Sequence, residues 1–100
     1  MMGNSISYNE QVNVLSESGE LLGTARLVGT ARRDSQGGLL RWNGQLYDPS
    51  FEPTILYEAG LITLEFNDGA SGCAFCQRVD YRPTRVALVG NGMPPRAKAS

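Results

Sequence analysis

The sequence predicts an all-β, mainly antiparallel fold, a small barrel or sandwich of about seven short strands. Apolar and polar residues alternate with a period of two along most of the chain, and Gly-, Asn- and Asp-rich turns separate these runs. The chain has 100 residues, the size of one domain, and 41% of them are hydrophobic. We therefore expect a single β-rich domain over residues 1–92 and a flexible C-terminal tail over residues 93–100.

The first two alternating runs predict neighbouring strands. Val12 and Val14 alternate with polar residues, and a Glu-Ser-Gly turn at residues 17–19 leads into a second run that starts at Glu20. Residues 8–17 also contain a capping-box pattern and a helical apolar face, so a short helix is the alternative there. Because the valines are β-branched, we favour a strand.

The second run contains a short internal repeat, Gly-Thr-Ala-Arg, at residues 23–26 and again at residues 29–32. Since the copies start an even number of residues apart, one continuous strand presents both on the same faces. One face is then small and apolar, and the opposite face carries Thr and Arg. Glycines weaken a strand but let it bend around a small core.

The dipeptide Asn43-Gly44 predicts a two-residue β-hairpin turn. It follows a loop-like Asp-Ser-Gln-Gly-Gly segment at residues 34–38 and lies between apolar runs at residues 39–42 and 45–47. This turn contributes one of the strand boundaries that give the count of about seven.

The segment that follows is compatible with two structures. Two prolines interrupt it, after which either a strand or a short helix near residues 51–59 can form. The helix would have Ser50 as its N-cap, Pro53 in its first turn and Gly60 after its end. With a helix here or at residues 8–17, the fold would be α+β instead.

Residues 61–79 predict a long β-hairpin around an Asn-Asp-Gly turn. In its first arm, one face carries only apolar residues, which are Ile62, Leu64 and Phe66. Alternation in the second arm places Cys73, Phe75 and Val79 in the core and Cys76 on the opposite face. Residues 85–89 predict the last strand.

The two cysteines of the hairpin form a C-x-x-C pattern, whose redox chemistry requires a helix N-terminus. On a strand, Cys73 and Cys76 point to opposite faces and cannot bridge. Zinc would need further ligands, and the chain has no other cysteine and no histidine. We expect structural cysteines, no metal, no cofactor and no catalytic residue. The sequence does not decide whether the protein is an enzyme, although it favours a protein without catalytic activity.

Residues 42–57 are rich in aromatic side chains, which are enriched at the centres of interfaces. A small open β-structure also has strand edges that must be covered or paired. We therefore expect a small soluble binding or interaction module that self-associates, as a homodimer, with a protein or small ligand as a further partner. The aromatic candidates for binding are Trp42, Tyr47, Phe51 and Tyr57.

Positive charge is carried almost entirely by arginine, with eight of the nine basic residues. An arginine strip beside exposed aromatics is how OB-like barrels hold single strands. The alternative function is therefore a barrel that binds an anion, a nucleotide or single-stranded nucleic acid, although the net charge of −1 weakens the nucleic-acid reading. The basic candidates are Arg26, Arg32, Arg33 and Arg41.

The expected location is cytoplasmic, without a membrane partner. No apolar window is long enough for a membrane span, and the first residues show no signal-peptide pattern. Two cysteines without an export signal fit a reducing compartment.

Overall fold

A computed structural model describes residues 5–33 and 40–97, which form a closed antiparallel barrel of six strands with one short helix. The predicted all-β barrel is thus confirmed, while the loop predicted at residues 34–38 lies outside the described residues. The strands follow one another around the barrel in the order β1-β2-β3-β6-β5-β4. The elements are β1 (Ile6–Leu15), β2 (Leu21–Arg33), β3 (Leu40–Tyr47), α1 (Ile55–Ala59), β4 (Leu61–Glu65), β5 (Ser71–Asp80) and β6 (Arg85–Asn91).

Alternate residues of the strands fill the barrel interior. On β1, Val12 and Val14 are buried, which confirms the strand and excludes the helix at residues 8–17. On β2, the small and apolar face of the repeat turns inward. The buried core consists of Tyr8, Val12, Val14, Ala25, Leu27, Ala31, Trp42, Leu46, Leu56, Ile62, Leu64, Phe66, Ala74, Val86 and Leu88.

The predicted hairpin turn at Asn43-Gly44 is wrong, because β3 continues through both residues. This is why the barrel has six strands rather than about seven. Gly44 lies opposite Gly29 of β2, and a Cβ on Gly29 would come within 2.7 Å of the Gly44 Cα. The two glycines therefore permit a close approach of two strands instead of a turn.

The segment before β4 forms the helix alternative, α1, so the strand alternative is wrong. Thr54, not Ser50, is the N-cap, and Gly60 ends the helix with a φ of 71°. Ser50 instead ties the preceding connection to β2, because its Oγ accepts a 2.8 Å hydrogen bond from the Thr24 amide. Leu56 anchors α1 in the core. Within residues 5–33 and 40–97, no helix has the length and apolar character needed to cross a membrane.

The hairpin of β4 and β5 forms as predicted, but the first half of β5 faces the opposite way. Ala74 is buried and Cys76 packs against the core. Phe75 is 44% exposed, and Cys73 also lies on the outer side, so the core prediction for these two residues is wrong. A β-bulge directly after Cys76 adds one residue to the strand, so Val79 packs against the core as predicted.

The reversed face of β5 follows from the size of a side chain on another strand. Ala74 is the cross-strand partner of Gly90 on β6, and a Cβ on Gly90 would overlap the indole ring of Trp42. Since this ring from β3 already fills the space beside β5 and β6, small residues fit there and a phenylalanine does not.

Residues 94–97 differ from the flexible tail that the sequence predicts. Pro94 and Pro95 are buried, and the Tyr8 hydroxyl donates a 2.7 Å hydrogen bond to the Pro95 carbonyl. The Pro95 ring packs over Gly72, where a Cβ would come within 2.5 Å of it. The segment therefore belongs to the packed structure, and the domain boundary at residue 92 stays a prediction.

We expect Gly90→Ala to lower the free energy of unfolding by about 3 kcal/mol, because the added methyl group overlaps the Trp42 ring. Chemical denaturation followed by tryptophan fluorescence measures this change. Gly19→Ala is the matched control, since its methyl group meets open space and only the φ of +93° costs about 1 kcal/mol. Equal losses in the two variants would contradict the packing argument.

Candidate functional site

Three of the four candidate arginines meet at one end of the ribbon formed by β2 and β3. Arg32 and Arg41 are direct cross-strand partners, and Arg33 is the last residue of β2. With Thr30 and Asn43 they line a depression of about 590 Å³. We call this set of five residues the arginine end.

The arrangement of Arg32 and Arg41 places two positive charges side by side on the outer face of the barrel. Directly opposed residues of an antiparallel pair have Cβ atoms about 4.5–5.5 Å apart, and like charges in this position repel each other. The planar fork of each guanidinium group matches a phosphate or a carboxylate, so an anion bound in the depression would place its negative charge beside both arginines. The hydroxyl of Thr30 and the amide of Asn43 add neutral donors beside them.

Arg26, the fourth candidate, is not part of the arginine end. It lies six residues before Arg32 on the same strand, which is about 20 Å along an extended chain. Its guanidinium donates a 2.7 Å hydrogen bond to Oδ1 of Asn9, and its cross-strand partner is Tyr47.

Trp42 lies inside the barrel rather than on a binding surface. It is 3% exposed, and its ring meets the Tyr8 ring edge-on with centroids 6.0 Å apart. Its Nε1 is buried without a hydrogen-bond partner among the described residues. The indole face is therefore not open for stacking on a nucleic-acid base.

The other three aromatic candidates are dispersed. The Tyr47 hydroxyl donates to Oε1 of Gln45 at 2.8 Å. Phe51 packs on Gly23 of β2, where a Cβ would come within 2.6 Å of its ring. Tyr57 is 55% exposed on α1. The structure does not assemble these rings into one site.

A broad groove of about 840 Å³ continues from the arginine end along the outer face of the sheet. It shares Arg41 and Asn43 with the depression at the arginine end. Arg78 also borders it and pairs with Asp80 through an Nε–Oδ2 contact of 2.9 Å. We call this feature the outer groove; its amide side chains are Asn43, Gln45, Gln77 and Asn91, and its apolar ones include Val28, Ala87 and Val89.

An exposed apolar pair beside the outer groove escaped the sequence prediction. Phe75 and Val89 are cross-strand partners on β5 and β6, 44% and 42% exposed. Leu61 of β4 is the next residue in the same row. Alternation along β5 had placed Phe75 inside, so only knowledge of the Trp42 position could have revealed this patch.

The two cysteines are free and lie on opposite faces of β5, as strand geometry predicts. Cys73 Sγ is 3.7 Å from the Thr63 hydroxyl. Cys76 packs against the core, where burial raises the pKa of its thiol and so lowers its reactivity. Among the described residues, no group of three or more His, Cys, Asp or Glu side chains is arranged to hold a metal ion.

No protein-family model matches the chain, and no curated protein or solved structure matches it either. Closed barrels of this kind serve many unrelated functions, so the fold alone does not assign one. The functional argument therefore rests on the arginine end, the outer groove and the charges around them.

Burial raises the pKa of Tyr8 from 10.0 to about 12, against a smaller lowering effect of the Arg96 charge. Between pH 10 and pH 12 the Tyr8 hydroxyl is ionised in the unfolded chain but still protonated in the folded protein. The free energy of unfolding should therefore fall as the pH rises from about 10 to about 12. Urea unfolding across that range should show a steeper loss for the wild type than for Tyr8→Phe, which lacks the ionisable hydroxyl. Parallel losses in both proteins would contradict the assignment to Tyr8.

Proposed function

We propose that the protein is a binding module whose ligand presents a phosphate or carboxylate group to the arginine end. The observation that carries this proposal is the opposed pair of Arg32 and Arg41 on the outer face, with Arg33 beside it. Because the two side chains start from directly opposed positions on β2 and β3, one phosphate or carboxylate in the depression is within reach of both guanidinium groups. This was the alternative function in the sequence analysis, and three of its four arginines support it.

The outer groove suggests how large the ligand is. The depression at the arginine end and the groove measure about 590 and 840 Å³, and small-molecule sites are typically about 300–1,000 Å³. Mixed amide and apolar side chains along the groove suit the uncharged part of a ligand. A ligand of nucleotide size, with its anion between the arginines, fits this combination.

A long nucleic acid is a less suitable ligand than a nucleotide. The net charge of −1 gives the molecule no overall attraction for a polyanion. Trp42, the residue best suited to stack on bases, is buried. With about three arginine contacts, binding to a single strand should follow a shallow salt dependence, a slope of about −2 in log K against log salt.

We expect Arg41→Glu and Arg32→Glu each to weaken binding of a fluorescein-labelled single-stranded oligonucleotide by about tenfold at low salt. Fluorescence anisotropy measures the affinity, and pyrophosphate should displace the probe because it offers the same anionic groups. Folding should tolerate each change, since a glutamate opposite the remaining arginine is a favourable pair.

Arg26→Glu is the matched control, because it makes the same charge change on the same face of β2. It should leave the affinity within about twofold of the wild type, since Arg26 lies outside the arginine end. Equal losses in all three variants, or no binding of either oligonucleotide or pyrophosphate at low salt, would refute the proposal.

Self-association is a second candidate function, favoured by the exposed pair of Phe75 and Val89. An apolar pair on a sheet surface is a common element of subunit interfaces. The edge argument from the sequence analysis gives it little support, because the six described strands close into a barrel in which the earlier part of β1 is the stretch left unpaired on its β4 side.

If this patch mediates self-association, Phe75→Ser should shift the protein towards the monomer. Sedimentation equilibrium at two concentrations measures the effect, and Leu21→Ser, at a residue 59% exposed on β2, is the control. A wild-type chain that stays monomeric at the higher concentration would remove this candidate.

A further inference from the structure

Residues 94–96, Pro-Pro-Arg, lie against a seam in the barrel wall. β4 pairs with β1 through Asn13, Val14 and Leu15, so the earlier part of β1 has no cross-strand partner on that side among residues 5–33 and 40–97. Both prolines are buried at this seam. We call residues 94–96 the Pro-Pro-Arg segment.

Pro95 is held at the seam by a ring contact and a hydrogen bond. The Pro95 ring packs on Gly72, a position on β5 that leaves no space for a Cβ. The Tyr8 hydroxyl donates a 2.7 Å hydrogen bond to the Pro95 carbonyl. Tyr8 also packs against Phe66, with ring centroids 5.7 Å apart. The segment is a turn rather than an extended proline helix, because the Ala97 amide donates a 3.2 Å hydrogen bond to the Pro94 carbonyl and the φ of Arg96 is 65°.

The arginine of the segment is held by two acids and a ring. Nη1 and Nη2 of Arg96 contact the two carboxylate oxygens of Glu10 at 2.6 and 2.8 Å. Its Nε donates to Oδ2 of Asp68 at 3.0 Å, and its guanidinium carbon lies 4.5 Å from the centroid of the Phe66 ring. The two contacts with Glu10 are bidentate, and the Phe66 ring adds a cation–π contact. This combination favours the planar guanidinium of arginine over the ammonium group of lysine.

Glu10 is a charged residue at a position of β1 where the strand pattern predicts an apolar one, which indicates a binding role for the seam. It lies on β1 between Tyr8 and Val12, in the register that otherwise points into the barrel. An apolar residue is expected at such a position, whereas the Glu10 side chain is 33% exposed and its carboxylate pairs with the guanidinium of Arg96. Hydrogen bonding to Arg96 accordingly lowers the pKa of Glu10.

We propose that this seam is a recognition site for a Pro-Pro-Arg sequence, occupied in the resting protein by its own residues 94–96 and open to a Pro-Pro-Arg peptide of a partner protein when that segment is released. The segment follows β6 through Gly92, whose φ of +82° is a backbone conformation that favours glycine. This site is separate from the arginine end, so it stands or falls independently of the proposed function.

Release of the segment is needed before a partner peptide can bind well. A short tether holds the segment at an effective concentration of about 1 mM or more, which suppresses binding of a free peptide. The double variant Pro95→Asp with Arg96→Glu places two carboxylates beside Glu10 and Asp68 and should repel the segment from the seam.

The experiment titrates the full-length chain with a synthetic peptide of residues 92–97, Gly-Met-Pro-Pro-Arg-Ala. Isothermal calorimetry measures binding, and Trp42, which contacts Tyr8, gives a fluorescence signal. We expect the double variant to bind the peptide at least about tenfold more tightly than the wild type. Peptides with Ala-Ala-Arg or Pro-Pro-Glu in place of Pro-Pro-Arg should not bind.

A third substitution tests whether the seam itself holds the peptide. Adding Glu10→Gln to the double variant should abolish binding, whereas Glu58→Gln, at an exposed acid on α1, should not. A folded double variant that binds Pro-Pro-Arg no better than Ala-Ala-Arg would overturn the proposal. A wild-type dimer that the double variant cannot form would also overturn it, because the segment would then dock on a second copy.

If the double variant loses its β-sheet circular dichroism, the same peptide provides the test in trans. About 1 mM Pro-Pro-Arg peptide should restore the signal, because it replaces the missing contacts at the seam. Failure to restore it, or equal restoration by the Ala-Ala-Arg peptide, would show that the segment has a structural role alone.

Discussion

The contact between the Trp42 ring and Gly90 is the constraint on which the barrel depends. A closed barrel of six strands encloses little volume, and part of it is occupied by the Tyr8 ring together with the rings of Trp42 and Phe66, each of which contacts Tyr8. Positions facing these rings must then be small, which explains the glycine at residue 90 and the alanine beside it on β5. Any larger residue at these positions would have to displace a ring or leave the barrel.

The same constraint decides what is available at the surface. Because Trp42 points inward, its neighbour Arg41 on β3 points outward and lies beside Arg32. Because small residues fill the inner face of β5, Phe75 is left on the outer face next to Val89. The arginine end and the apolar pair are thus consequences of how the core is packed, although neither contributes to the core.

The sequence predicts strands well where one strand alone carries the information. Alternation of Val12 with Val14 and the repeat on β2 gave correct faces, because the period of two is a property of the single strand. It failed at Gly44 and Phe75, where the outcome depends on residues of a neighbouring strand. Only part of the arginine pair was predictable. The alternation along β2 places Arg32 on the outer face, but its position opposite Arg41 depends on how β3 pairs with β2.

The net charge of −1 conceals two regions of opposite character. The arginine end concentrates positive charge on β2 and β3, whereas Glu10 and Asp68 form a negative pair at the seam that Arg96 covers. A guanidinium that leaves the seam uncovers both carboxylates at once, and they then repel each other. Without the Arg96 guanidinium the seam carries negative charge, whereas the arginine end carries positive charge. Fields of opposite sign favour ligands of opposite charge, and the net charge of the whole molecule reveals neither region.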